Sequence, residues 1–201
     1  MADLKSEAAF YTDRKAENNS VVDEIFEWFE SIAFSFFIVI LIFTFIFRTV
    51  DVLGSSMSPT LKGADKYDPS STGDKLIVSH MFYSPKVGDI VAIKNDYLNE
   101  NIIKRVIALE NQAIKIDYTT GKVYVDGELV YEPYIAEMIS VNPSLGVYEA
   151  VVPENCVFVM GDNRNNSLDS RDARIGFISE GDILGKAVFR IFPLNSFGGL
   201  Y

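Results

Sequence analysis

Ser31 to Phe47 is a run of seventeen residues without a charge, closed by Glu30 before it and Arg48 after it. Coiled as an α-helix it spans roughly 25 Å at about 1.5 Å per residue, near the short end for crossing a bilayer. Ile25, Phe26, Trp28 and Phe29 sit just upstream among acidic residues. They lengthen the helix through the interfacial layer, with Trp28 as an aromatic anchor. A buried helix of a soluble core is the alternative. Phenylalanines at 36, 37, 43, 45 and 47, with Ile and Val between them, leave no polar face, which favours the membrane. A cleavable secretory signal would carry a shorter apolar core behind a short basic flank. Here the flank is thirty residues long and acidic, and Val52-Leu53-Gly54-Ser55-Ser56 offers no Ala-x-Ala. The segment therefore reads as an uncleaved anchor over residues 31–50. Residues 1–30 mix Asp, Glu, Lys, Asn and Ser with few core formers, and are expected to be a disordered tail that turns helical near Val21. Arg14 and Lys15 precede the span while Arg48, Lys62 and Lys66 follow it, so the positive-inside rule gives no orientation.

The anchor also explains a conflict in the composition. The chain of 201 residues is 48% hydrophobic yet carries a net charge of −10. Residues 1–31 hold eight acids and three bases, so half of that charge sits in the tail, and the hydrophobic excess belongs largely to the anchor. A balance of 18 Lys and Arg against 28 Asp and Glu argues against a nucleic-acid partner, which needs clustered cations. One cysteine excludes an intrachain disulfide and a Cys-rich zinc site; one histidine excludes His–His metal pairs and most His-based catalytic groupings. No metal and no cofactor are expected. The chemistry must run on Ser, Lys, Asp, Glu, Arg or Tyr.

From Asp51 onward short β-rich runs alternate with turn residues. Strands are expected at Lys75–Ser79, Gly88–Lys94, Ile102–Leu109, Cys156–Met160 and Ala187–Phe192. Ala113–Asp117 and Lys122–Val125 flank Tyr118-Thr119-Thr120-Gly121, a hairpin signal. The expected product is a β-dominated domain over residues 51–201, about 150 residues and large enough for one core. His80, with no second histidine to share a metal, reads as a surface or half-buried residue. Cys156, inside a Val/Phe/Met strand, reads as a core thiol.

Three polar segments are harder to explain as scaffold. Gly54-Ser55-Ser56-Met57-Ser58-Pro59-Thr60-Leu61 lies a few residues beyond the anchor, and alone is an ordinary turn. Ile102-Ile103-Lys104-Arg105-Val106-Ile107 sets two basic residues inside an apolar strand. By alternation one of them points inward, and an inward lysine is uncommon unless paired or functional. Gly161-Asp162-Asn163-Arg164-Asn165-Asn166-Ser167-Leu168-Asp169-Ser170-Arg171 reads as a long exposed loop or a calcium loop. Against calcium, the closing bidentate Glu is absent and two arginines oppose a cation.

In order behind one anchor, these segments resemble bacterial type I signal peptidases of the Gram-positive-like kind, membrane-bound Ser/Lys endopeptidases. The resemblance covers roughly Phe29 to Leu194. It rests on Ser-Met-x-Pro-Thr-Leu at 56–61, Lys-Arg at 104–105, Gly88-Asp89-Ile90-Val91 and the Gly-Asp-Asn-Arg stretch at 161–171. It implies a mainly β fold: one N-terminal transmembrane helix, then an antiparallel β-sheet catalytic domain of signal-peptidase (LexA-like) type, with a variable β insertion at 109–155. It implies Ser56 as nucleophile and Lys104 as general base, with Ser167 orienting the lysine amine. Asp169 and Arg171 would form a structural ion pair, Asp169 also reaching toward Arg105. The oxyanion site would be formed at Ser56, through its N–H, and at Gly54, two positions before it, which brings no side-chain donor. Val52, Met57, Leu61, Ile102 and Ile103 match substrate-pocket positions. Leu109-Glu110-Asn111-Gln112 departs from the family's usual Leu-Pro-Gly-Asp, and Ile102 stands where an aromatic is common.

The chemistry makes sense of these residues. A serine hydroxyl needs a base to take its proton. A lysine of reference pKa about 10.4 is free amine in only about one molecule in 10³ at neutral pH. Bringing it near 7 costs about 4–5 kcal/mol, which burial can supply; Ile102, Ile103, Val106 and Met57 are the expected surroundings, with Arg105 outward. The implied activity is removal of signal peptides at small-x-small sites on the outer face of the membrane, the tail remaining inside. The implied partners are exported preproteins, membrane lipid and the secretion translocon. Met81 and Phe82 read equally as lipid contacts or core. Two other readings compete: a LexA-type self-cleaving protein, which lacks an anchor, and a catalytically silent, membrane-tethered assembly factor, which has no need of Lys104.

Overall fold

The computed structural model describes residues 2–68 and 70–200. A helical unit ends at Phe45, and a β unit begins at Ile46. The helix, α1, runs Ala2–Ile46. No glycine or proline occurs before Gly54 to break it, so the backbone expected to be disordered up to Val21 is helical throughout. Within it, Asp23–Thr44 is long and apolar enough to cross a membrane, about 33 Å at 1.5 Å per residue. Two of its hydroxyls bond back along the helix: Ser35 Oγ donates to Ser31 O and Thr44 Oγ1 to Ile40 O, each at 2.8 Å. The helix stops short of position 50. Phe47–Asp51 is instead strand β1, drawn into an antiparallel ladder with Lys75–Ser79, β2.

The remaining strands are β3 (Ile90–Asn95), β4 (Glu100–Ala108), β5 (Ala113–Asp117), β6 (Lys122–Val125), β7 (Glu128–Leu129), β8 (Val147–Val151), β9 (Cys156–Met160), β10 (Ile178–Ser179), β11 (Ile183–Phe192) and β12 (Gly198–Gly199). Every pairing between them is antiparallel. The larger sheet runs β1-β2-β11-β3-β4-β9-β10, with β12 also on β11; the smaller runs β7-β6-β5-β8 and is made wholly of residues between Ala113 and Val151.

β4 decides the position of everything that follows. Ile103 belongs to a core with Val52, Met57, Leu61, Ile90 and Ala92. Ile102 and Val106, alternate residues, pack with Val91, Ile93, Val157 and Val159. Both faces of the strand are therefore covered, and alternation no longer sends one of Lys104 and Arg105 to solvent. Lys104 is 4% exposed and Arg105 2%. The expectation of an outward Arg105 is corrected on this ground. Cys156 is half-buried against a further apolar cluster that includes Ile107, Ile114, Ile116 and Phe158, and His80 is exposed.

Candidate active site

Lys104 projects from mid-β4 with its Nζ 2.8 Å from Ser56 Oγ and 2.9 Å from the Ile103 carbonyl. Burial drives its pKa down from 10.5 to about 8, against the opposing pull of Asp169 and Asp162. The fall is less than the drop to near 7 expected above. It still raises the free-amine fraction at neutral pH to about one in ten.

Ser56 is fixed by its neighbours. Val52 and Gly54 turn their N–H groups to Asp74 O at 2.9 Å and Ala64 O at 2.8 Å, and Gly54 takes φ +70°, a region glycine favours. The Gly54 N–H is therefore committed and cannot serve an oxyanion, which corrects its assignment there. Among the described residues the Ser56 N–H makes no hydrogen bond, leaving it free for that role. The Ser56 carbonyl accepts from Asn163 N–H at 3.0 Å. Asn163 Nδ2 donates to Ser55 O at 3.2 Å and Asn166 Nδ2 to Ser55 Oγ at 2.7 Å. The loop 161–171 thus wraps the serine segment from one side. Gly161 is where the two meet: a Cβ there would lie 2.4 Å from Ser56 O and 2.2 Å from Ser167 Oγ.

Two buried aspartates hold this loop. Asp169 accepts from Gly161 N–H at 2.9 Å and from Arg171 Nε and Nη2, both at 2.8 Å. Burial alone would raise its pKa, but the Arg171 guanidinium overrides this and holds the carboxyl below its ordinary range. Asp169 does not pair with Arg105. That place is taken by Asp162, which accepts from Arg105 Nε at 2.8 Å and Nη2 at 2.6 Å, and from Thr60 Oγ1 at 2.5 Å. Ser167 does not hydrogen-bond Lys104; its buried Oγ has no hydrogen-bond partner among the described residues. The Ile103 carbonyl takes the bond expected of it.

A cleft of about 350 Å³ opens in front of Ser56, lined on one side by residues 51–57 and on the other by Leu98 and residues 100–104, with Asn166 and Leu168. Val52, Met57, Ile102 and Ile103 are on its walls. Leu61 is not; it is 1% exposed and sits in the core beneath Met57, a correction explained by the turn after Ser56, where Leu61 N–H bonds back to Met57 O at 2.9 Å. β4 pairs with β9 only from Arg105 onward. Its first half, paired to β3 on one edge, presents the other edge to the cleft with no partner strand among the described residues. Met81 and Phe82 are exposed and line a different hollow.

Several residues of this arrangement had no role in the sequence reading. Asp162, Asn163 and Asn166 lie inside the quoted motif, but their partners are remote in sequence. Glu132 and Tyr134 carry no motif signal at all. Arg164, 2% exposed, is held by both Glu132 carboxylate oxygens and donates to Gly161 O at 3.1 Å. The Tyr134 ring lies under Arg105 at 4.0 Å and beside Arg164 at 6.0 Å. No group of His, Cys, Asp and Glu suited to a metal occurs among the described residues.

Comparison with known proteins gives one family. The model of the family described as "Signal peptidase, peptidase S26" matches residues 25–192. The "Probable signal peptidase I-1" of Synechocystis is 39% identical over 72% of this chain and 71% of its own length. The "Signal peptidase I" of Bacillus licheniformis is 33% identical over 92% and 96%. The "Signal peptidase I T" of Bacillus subtilis is 33% identical over 84% and 86%. A solved signal peptidase I from Enterococcus faecalis V583 aligns with TM-score 0.42 and 25% identity, covering 52% of this chain and 97% of that one.

Proposed function

The chain belongs to the signal peptidase family, peptidase S26, and we propose that Ser56 and Lys104 carry its peptidase chemistry as nucleophile and general base. The observation that carries this reading is a lysine buried to 4% exposure with its amine 2.8 Å from a serine hydroxyl at the wall of a cleft. In the neutral amine the direction of that hydrogen bond reverses, and Ser56 Oγ–H donates to Nζ. The substrates are exported preproteins, bound as an extended strand along the open edge of β4 and cut after small residues. Ser56 Oγ adds to the scissile carbonyl as Lys104 takes its proton, and the Ser56 N–H meets the developing oxyanion. The Lys104 ammonium then protonates the departing amine, leaving an acyl-serine. Lys104, neutral again, removes a proton from the water that hydrolyses the ester.

The chain is a membrane protein by its apolar helix and its family. The finer topology we propose is a single span with the tail inside and the β unit outside, where preproteins emerge beside the translocon and lipid. A silent assembly factor would have no chemical need for a buried lysine against Ser56.

The test is cleavage of a preprotein bearing Ala-x-Ala by the full chain in lipid vesicles. Ser56→Ala and Lys104→Ala are expected to lose at least about 10³-fold in turnover. Equal turnover by both variants and the wild type would overturn the assignment.

A further inference from the structure

Ser56 lies in a turn, outside any strand ladder that would fix its backbone. A residue has two soft backbone torsions, and both are set once the peptide planes before and after it are held. Both planes flanking Ser56 are held by one residue. The Ser55 carbonyl, in the plane before, accepts from Asn163 Nδ2 at 3.2 Å. The Ser56 carbonyl, in the plane after, accepts from Asn163 N–H at 3.0 Å. A carbonyl oxygen can only accept, so the Asn163 side chain must turn its NH2 to Ser55. Ser58 N–H gives Ser55 O a second bond at 3.0 Å from within the turn. Asn166 Nδ2, from the same loop as Asn163, holds the Ser55 hydroxyl at 2.7 Å.

The plane before Ser56 also carries the Ser56 N–H. The Ser55–Ser56 bond is trans, and in a trans peptide the C=O and the N–H point opposite ways. Drawing Ser55 O toward Asn163 therefore turns the Ser56 N–H away from it. That N–H meets no acceptor among the described residues, so its direction is set by what its own carbonyl partner touches. Resting on the assignment of Ser56 and Lys104, we propose that Asn163 is a positioning residue whose side-chain amide aims the Ser56 N–H at the oxyanion. Its backbone N–H, holding the second plane, completes the grip and fixes the direction in which Ser56 Oγ leaves the chain. Substitution removes the side-chain bond and leaves the backbone bond, so the share of the amide can be measured alone.

The test is kcat and KM for preprotein cleavage by the full chain in lipid vesicles, for wild type, Asn163→Ala and Asn163→Asp. Values are compared on the alkaline plateau, where a new carboxylate cannot act through the protonation of Lys104. Asp keeps the shape of Asn but sets an acceptor against the Ser55 carbonyl where Asn donates. Plateau kcat is expected to fall about ten-fold in Asn163→Ala and further in Asn163→Asp, with KM within about two-fold of wild type. A space-filling role gives the reverse order, Asp near wild type and Ala lowest. That order, a loss carried by KM, or wild-type kcat in both variants overturns the proposal. If Asn163→Asp fails to fold, Asn163→Leu takes its place, with kcat expected no higher than that of Asn163→Ala. A peptide aldehyde gives a second readout. It adds to Ser56 Oγ as a tetrahedral hemiacetal, the serine proton ending on the former carbonyl oxygen. Its affinity should fall in Asn163→Ala by the same factor as kcat, while preprotein binding to Ser56→Ala is unchanged when Asn163→Ala is added. Equal losses in the two measurements would make Asn163 a substrate contact and overturn the proposal. Ser56→Ala and Lys104→Ala separate the two claims. If both are inactive while the Asn163 variants match wild type, this inference alone fails; if both cleave like wild type, the dyad fails and this inference with it.

Discussion

Burial of Lys104 is a cost to the fold as well as a device of the reaction. Its folded pKa of about 8 lies below the ordinary 10.5. Below about pH 8 both folded and unfolded chains hold the proton, and the folded state bears the full desolvation penalty. Between about 8 and 10.5 only the unfolded chain keeps it, so stability rises with pH and the penalty is gone above. Lys104→Met is therefore expected to be more stable than wild type at pH 7 by on the order of 3 kcal/mol, in urea unfolding followed by circular dichroism. The gap should close as pH approaches about 10.5; a gap that stays constant with pH would assign it to packing instead. Gly161 is constrained differently, by the approach of Ser56 O and Ser167 Oγ. Gly161→Ala must displace the serine segment, and a fall in kcat/KM of at least about 10²-fold is expected, since small misplacements at a reacting centre are costly. Wild-type kinetics for that variant would mean the loop has slack that the geometry does not show.

At the level of elements, the site is a strand, a turn and a loop braced by an ion pair and an aromatic ring from a fourth segment. Glu132 and Tyr134, in the stretch after β7, brace Arg164 and Arg105 and so the loop 161–171. Glu132→Ala strands a buried guanidinium, and about 3–5 kcal/mol of stability should be lost in chemical denaturation. A loss below 1 kcal/mol would show that Arg164 finds another partner. None of this brace was legible beforehand, because its partners are 29 to 32 positions apart and share no periodicity. The strands themselves were legible wherever alternation met a turn signal: β2, β5, β6 and β9 begin and end where the hydrophobic pattern does. β7, β10 and β12 are two residues each, too short to alternate, and β8 exposes Val147 and Val151 beside Glu149 while Tyr148 and Ala150 are half-buried, so its apolar residues fall on both faces and show no period of two. Ser56 and Lys104 were legible through their motifs. The burial of Arg105 was not, because a single strand cannot show that both its faces are covered.

The whole chain divides its composition between environments: a helix with an uncharged core of residues and a β unit that carries the charges and holds ten ion pairs among its described residues. Full-length protein should stay in the membrane pellet through alkaline carbonate extraction, as a spanning helix requires; release into the supernatant would contradict a span at Asp23–Thr44. In that native setting the central claim, a neutral buried lysine activating Ser56, is open to one direct measurement. It is the pH dependence of kcat/KM for preprotein cleavage by the full chain in vesicles from about pH 6 to 11. The account predicts a rise that turns over to a plateau with a midpoint near 8, the value that burial gives Lys104. A rate that goes on climbing toward the 10.5 of an ordinary lysine, with no break near 8, would contradict it.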